Sequence, residues 1–151
     1  MSKYQQGTYQ VQDPTKYVGT QAPVYRSSWE LAFCRFCDNH PSILKWASEN
    51  IKIPYFNPIT SRYANYIPDF MIQYQDKNGT THVEVIEIKP SKETTMENAG
   101  RSKKAQIQVA VNAAKWTAAQ EWCSRKGIRF KVINEDQIFK TNKKRNPRKR
   151  K

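Results

Sequence analysis

Three side chains in the middle of the sequence carry more charge than a plain strand pair needs. Asp69 follows Pro68 directly, and Glu87 stands 18 residues later with Lys89 two positions beyond it. Side chains on a strand alternate faces, so Glu87 and Lys89 share one face with Val83 and Val85. A carboxylate and an ammonium continuing a valine face cost stability unless they find partners or a metal. Asp69 and Glu87, brought together on adjacent strands, are hard oxygen ligands of the kind that suits Mg²⁺ or Mn²⁺. The backbone carbonyl of Ile88 and the carboxylate of Glu30, acting directly or through water, complete the candidate ligand set. Lys89 then positions or helps to deprotonate an attacking water and offsets negative charge on its target. The plainer alternative is a surface hairpin. In it Asp69 is a turn acid and Glu87–Lys89 a same-face pair worth about 0.2–1 kcal/mol.

The elements that must hold these residues are visible as patterns. Phe70 to Tyr74 and Thr81 to Ile88 read as strands, joined by the polar hairpin signal Asp76-Lys77-Asn78-Gly79. A first helix is expected from Ser27 to Asn39, with an apolar stripe of Trp29, Ala32, Phe33 and Phe36. Glu30, Cys34 and Cys37 form the adjoining stripe. Ser27-x-x-Glu30 is also a capping box, so Glu30 is either a helix cap or a site carboxylate. Pro41 to Asn50 suggests a short second helix through Ile43, Leu44, Trp46 and Ala47. Ile51 to Tyr55 then reads as a strand and Asn57 to Asn65 as a polar loop, from which Arg62 either reaches a phosphate at the Pro68-Asp69 corner or is a surface arginine with no partner. Pro90 closes the strand that holds Glu87, and a polar loop runs from Ser91 to Ser102. A long helix is expected from Lys103 to Lys126, with Gly127 just past its end and Ile107, Val111, Ala114, Ala118 and Trp122 as its core face. Its next stripe, Gln108, Asn112 and Lys115, either faces the same pocket as Glu87 or is a solvated flank. Ile128 to Ile133 reads as a further strand, and Asn134 opens a short helix through Phe139.

Composition narrows the classes. A chain of 151 residues that is 38% hydrophobic suits one domain with one core. No apolar run approaches the roughly 18–20 residues of a membrane span, and the N-terminus lacks a secretory h-region. No membrane partner is expected. Cys34, Cys37 and Cys123 are too few, and odd in number, for a disulfide framework. Cys34-x-x-Cys37 with His40 lacks a second ligand pair for zinc, so buried free thiols in a reducing compartment are the better reading. Gly-rich phosphate loops, nucleophile elbows and His-Glu-x-x-His pairs are absent. Of the formal charge of +13, Lys140 to Lys151 carries +8 without an acid, which leaves +5 for the rest. Such a tail reads as a disordered arm that binds a polyanion by counterion release, the plainer alternative being a solvated tail or a nuclear-localisation patch. Duplex DNA is the expected polyanion, with Arg62, Lys103, Lys104, Lys115, Lys143, Lys144, Arg145, Arg148, Lys149 and Arg150 as candidate contacts. Residues 1 to 24, rich in Gln, Tyr and Thr, read as an extended arm, with Tyr4, Tyr9 and Tyr17 as docking aromatics or as part of a loose leader. The expected domain runs from 25 to 139, between this arm and the basic tail at 140–151.

Helix, three strands, helix, strand, with an acid on the first helix, Pro68-Asp69 on one strand and Glu87-Ile88-Lys89 on the next, resembles the PD-(D/E)XK nuclease superfamily. That resemblance implies an α/β restriction-endonuclease-like domain, a mixed β-sheet flanked by helices in αβββαβ order. It implies Asp69, Glu87, Ile88 and Glu30 at the metal and Lys89 as the catalytic lysine. Over nearly the whole length, Tyr25 to Glu30, Ile53-Pro54-Tyr55, Tyr66-x-Pro68-Asp69-Phe70 and Glu87-Ile88-Lys89-Pro90 look like the head completion nuclease family of T-even-type tailed phages. TnsA-type transposon endonucleases share the Tyr-x-Pro-Asp-Phe and Glu-x-Lys-Pro patterns but usually carry an additional domain. The resemblance implies a Mg²⁺- or Mn²⁺-dependent DNA endo- or exonuclease of little sequence specificity, acting at the packaged DNA end in head–tail joining. Its implied partners are portal or neck proteins. Its implied location is the host cytoplasm during assembly, or the virion. Two alternatives are a non-catalytic DNA-binding head–tail connector and a structure-selective Holliday-junction resolvase.

Overall fold

The chain runs β1 (Gly7–Thr8), β2 (Val24–Tyr25), α1 (Ser28–Asn39), β3 (Ile43–Ser48), β4 (Ile53–Asn57), β5 (Arg62–Tyr66), β6 (Phe70–Gln75), β7 (Thr81–Ile88), α2 (Met96–Ala99), α3 (Lys103–Arg125) and β8 (Arg129–Ile133). This computed structural model describes residues 6–90 and 96–134. Tyr4, the first part of the 91–102 loop, the helix expected to run to Phe139 and the whole basic tail lie outside the described residues. The tail candidates Lys143, Lys144, Arg145, Arg148, Lys149 and Arg150 lie there too.

The central sheet has the order β3-β6-β7-β8, antiparallel except for the parallel β7–β8 pair. α3 makes the crossover that a parallel pair needs. Ile86 and Ile88 point to one face of β7 and pack with Phe33, Cys34 and Cys37 of α1, Trp46, Phe70 and Ile72. Val85 and Glu87 point to the other, where α3 closes over β4 and β8. The fold is therefore α/β, with a mixed sheet between helices in αβββαβ order. A separate two-stranded hairpin, β4–β5, is inserted after the first core strand.

Four sequence expectations are corrected here. Residues 41–50 form the strand β3, not a helix. An irregularity between Ile43 and Lys45 adds one residue to the ladder, so Ile43 and Trp46, three apart, are both buried. That bulge imitates helical spacing. The polar loop 57–65 contains β5, whose first four residues are exposed and so lack any apolar alternation. The buried line of α1 is Glu30, Phe33, Cys34 and Cys37, rather than one centred on Trp29 and Ala32, which are only half-buried. Likewise α3 buries Val109, Asn112, Ala119 and Cys123, while Ile107 is exposed. All three thiols are free and buried.

The N-terminal residues pack on this body. Tyr9 joins the core and donates to Asp38 at 2.7 Å, and Lys16 caps the end of α1 through the carbonyls of Asp38 and His40. Tyr17 bridges to Trp46, with its ring edge-on at 4.8 Å.

Candidate active site

Strand geometry brings the acids together. Phe70 pairs with Ile86, so Asp69, one step before Phe70, stands beside Glu87. The Asp69 amide donates to Glu87 Oε1 at 3.3 Å, and the Ile88 amide donates to Asp69 Oδ2 at 2.8 Å. Lys89 Nζ lies 3.8 Å from Glu87 Oε2. The amide of Lys89 donates to Ile133 on the β8 side, so the N–H and C=O of Ile88 face the Asp69 side. Carried two residues past the Phe70–Ile86 pair, the register sets Ile88 opposite Pro68. Proline has no N–H to give that carbonyl.

Glu30 arrives from the other side of the sheet on the first turn of α1. Ser27 accepts from the Glu30 amide at 3.1 Å, and Glu30 Oε1 accepts from the amide of Arg26 at 3.1 Å. The capping box is therefore made, with the back-bond reaching one residue before the cap. Glu30 is also buried. Burial, and then the charges of Glu87 and Glu49, push its carboxyl up to about 7. Cap and site carboxylate are thus both consistent with one side chain.

The same forces act on the other two acids. Burial first, then repulsion from Glu87 and Glu30, holds Asp69 well above the usual carboxylate range. Burial also raises Glu87, against the Tyr66 hydroxyl bond, the charge of Lys89 and the Asp69 amide. Three carboxylates that repel one another in a partly dry corner favour positive charge beside them. Among the described residues, no three His, Cys, Asp or Glu side chains form a ready cation cage. Asp69 and Glu87 are held instead by amide and hydroxyl donors. The donor set nevertheless fits a hard divalent cation, since every group in it is an oxygen and acids outnumber the adjacent Lys89.

Some neighbours escaped the sequence reading. Tyr66, 4% exposed, donates to Glu87 Oε1 at 2.7 Å. Lys115 leaves the solvated flank and hangs over the rings of Tyr66 and Tyr55, 5.7 and 5.9 Å from their centroids. Burial and then Lys89 lower its ammonium, while Glu87 and Asp69 hold it up. Asn112, one turn before Lys115, is fully buried. Arg26 grips Glu49 with two bonds of 3.0 Å at the rim, and the Glu49 amide donates to the Asp69 carbonyl. The Tyr66-x-Pro68-Asp69 spacing was the one available sign of Tyr66. Nothing in the pattern marked Arg26 or Glu49 as neighbours of Asp69, whereas helical spacing leaves Lys115 open between this pocket and a solvated flank, and the structure places it in the pocket. Arg62 sits near the tip of the β4–β5 hairpin, four residues from Tyr66, rather than at the Pro68 corner. Lys103 and Lys104 are exposed at the start of α3.

Residues 40–135 match the model for the N-terminal part of TnsA-like endonucleases. The chain belongs to this TnsA-like endonuclease family. It is also 34% identical over 132 residues to the head completion nuclease of Enterobacteria phage T4, a match covering 81% of this chain and 85% of that protein. The TnsA-like match contains Asp69, Glu87, Lys89, Tyr66 and Lys115, whereas Glu30 precedes it.

Proposed function

We propose that this chain is a metal-dependent DNA nuclease of the PD-(D/E)XK type that hydrolyses phosphodiester bonds of duplex DNA with little sequence specificity. The observation that carries the reading is the corner of Glu30, Asp69 and Glu87, three carboxylates sharing burial and repulsion beside Lys89. The family supports the reaction class, and the phage relative supports a role in head completion and head–tail joining.

Asp69, Glu87 and the Ile88 carbonyl would hold Mg²⁺ or Mn²⁺, with Glu30 contributing directly or through water. When bound, the metal lowers the pKa of water and polarises the scissile phosphate. Lys89 orients the attacking water, accepts or relays its proton and offsets charge growing on the phosphoryl oxygens. Tyr66 fixes the Glu87 rotamer through its hydroxyl. Lys115 adds a second cation beside the same acids. Water oxygen bonds to phosphorus as the P–O3′ bond breaks, leaving a 5′-phosphate and a 3′-hydroxyl. The basic tail 140–151, with Lys103, Lys104 and Arg62, supplies contacts to phosphates, flanking a nuclease domain at 25–139. By kinship with the phage relative, the partners are portal or neck proteins and the setting is the host cytoplasm during assembly, or the virion.

Supercoiled plasmid and linear duplex, incubated with Mg²⁺, Mn²⁺ or EDTA, test the reading. Wild type cleaves only with metal, while Asp69→Ala and Lys89→Ala lose cleavage and keep DNA binding. A folded, DNA-binding wild type that never cleaves points to a connector instead.

A further inference from the structure

The β4–β5 hairpin has one face that no other described element covers. Its register alternates Ile53↔Tyr66 and Tyr55↔Ala64 on one face with Pro54↔Asn65 and Phe56↔Tyr63 on the other. The first face packs through Ile53, Tyr55 and Tyr66 against α3. The second shows solvent an aromatic pair, Phe56 at 47% and Tyr63 at 77% exposure, their rings edge-on at 5.3 Å. Ile59, in the turn, is 53% exposed. Side chains this apolar, gathered on one protruding element, mark a contact surface.

Charge and position select the occupant. From Asn50 to Pro68 the charged residues are Lys52 and Arg62, both cationic, with no acid. The hairpin's last residue, Tyr66, bonds directly to Glu87, so the hairpin springs from the candidate site itself. Strands of five residues make it roughly 17 Å long, comparable to the width of a duplex. A duplex with a phosphate at Glu87 would lie at the base of this hairpin. We infer that the β4–β5 hairpin is a DNA-docking ribbon that enters the major groove of the substrate duplex. Phe56, Tyr63 and Ile59 lie against base edges and sugars, and Lys52 and Arg62 meet phosphates. A two-stranded ribbon fits a groove about 12 Å wide and not one of about 6 Å. The inference rests on the nuclease reading, which brings the DNA to Glu87.

Its test reads binding, so that it is separable from catalysis. The full chain carrying Asp69→Asn, in EDTA, is titrated against a 30-base-pair duplex by fluorescence anisotropy. Adding Phe56→Ser and Tyr63→Ser weakens binding at least tenfold while circular dichroism and the melting midpoint hold. Arg62→Ala weakens it less and lowers the salt slope by about one. Lys77→Ala, in the turn at the far end of β7, changes affinity less than twofold. Methyl green, a major-groove ligand, displaces the protein, and netropsin, a minor-groove ligand, does not. Duplex affinity of the double-serine variant within twofold of its parent overturns the inference and leaves the aromatic face to a protein partner. Displacement by netropsin alone overturns the groove assignment. Failure of the nuclease reading appears elsewhere, as wild type that binds DNA and does not cleave it.

Discussion

β7 carries two buried glutamates, and they keep opposite company. The side chains of Glu84 and Glu87 are 3% and 6% exposed. Each accepts a tyrosine hydroxyl, Glu84 from Tyr74 at 2.8 Å and Glu87 from Tyr66 at 2.7 Å. Three residues apart, they face opposite sides of the sheet. Glu84 meets two cations, Lys131 at 3.7 Å and Arg129 at 3.9 Å. Glu87 meets Lys89 at 3.8 Å and shares its corner with Asp69 and Glu30. Burial and a tyrosine partner are therefore common to both. What separates them is the sign of the surplus charge: among the described residues acid outnumbers base at Glu87, and base outnumbers acid at Glu84.

The sharpest way to break this contrast is to neutralise each acid. Glu87→Gln should lower single-turnover plasmid cleavage at least about 10²-fold, the scale of removing one group that acts on transition-state charge. Glu84→Gln should leave cleavage within about twofold and cost about 1 kcal/mol of stability, because its two cations are largely exposed. Equal losses of activity would erase the distinction. A second probe needs no turnover. Mg²⁺ at a hundredfold over its Kd adds about 2.7 kcal/mol to a protein that binds it only when folded. At roughly 2–4 °C per kcal/mol for a chain of this size, the melting midpoint should rise several degrees in wild type and Glu84→Gln. It should stay put in Glu87→Gln.

Sequence patterns exposed the corner of Asp69, Glu87 and Lys89, the candidate site, better than the scaffold around it, and the reasons are local. Asp69, Glu87 and Lys89 were legible because strand alternation fixes which side chains share a face, and because the turn Asp76–Gly79 fixes which strands pair. Gly79 takes φ +83° there, as a tight hairpin requires. β3 was hidden by its bulge, and β5 by an outer face that the fold leaves in water. The αβββαβ order was still read correctly, although the strand at Ile53 belongs to the inserted hairpin and β3 is the first core strand. Helix α3 has apolar residues on several sides, so periodicity chose the line through Ile107 where packing against β4 and β8 buries Val109 and Ala119. Tyr66 reaches Glu87 only through tertiary packing, and packing also decides between the pocket and the solvated flank that helical spacing leaves open for Lys115.

The tyrosines sharpen the comparison at smaller scale. Tyr66→Phe removes a buried donor to a group that carries charge, a loss of about 1.5–3 kcal/mol. It also removes a bond that lowers the Glu87 carboxyl, so the pH at which cleavage reaches half its maximum should move upward. Tyr74→Phe, at a half-buried hydroxyl, should cost about 1 kcal/mol and leave the pH profile where it was. Urea unfolding paired with a pH–rate series separates the two. Identical profiles for both variants would mean that Tyr66 is only a packing residue.

The smallest effect concerns Glu30, and its sign is fixed by its surroundings. In metal-free protein its carboxyl is pushed up to about 7 from an ordinary value of 4.5, chiefly by burial and then by Glu87 and Glu49. Between those values the folded chain holds a proton that the unfolded chain has lost, so stability falls as pH rises through the window. Glu30→Gln stays neutral and keeps an oxygen for the Arg26 amide. It should match wild type near pH 4.5 and exceed it at pH 8 by on the order of 1–2 kcal/mol, allowing for partial water access. Mg²⁺ supplies the missing positive charge, so saturating metal should flatten the slope in wild type and do little in Glu30→Gln. Denaturant midpoints at half-unit pH steps, with EDTA and with Mg²⁺, measure all of this. Equal stability of Glu30→Gln and wild type from pH 5 to 8 in EDTA would make Glu30 a helix cap alone and reduce the acid surplus to Asp69 and Glu87.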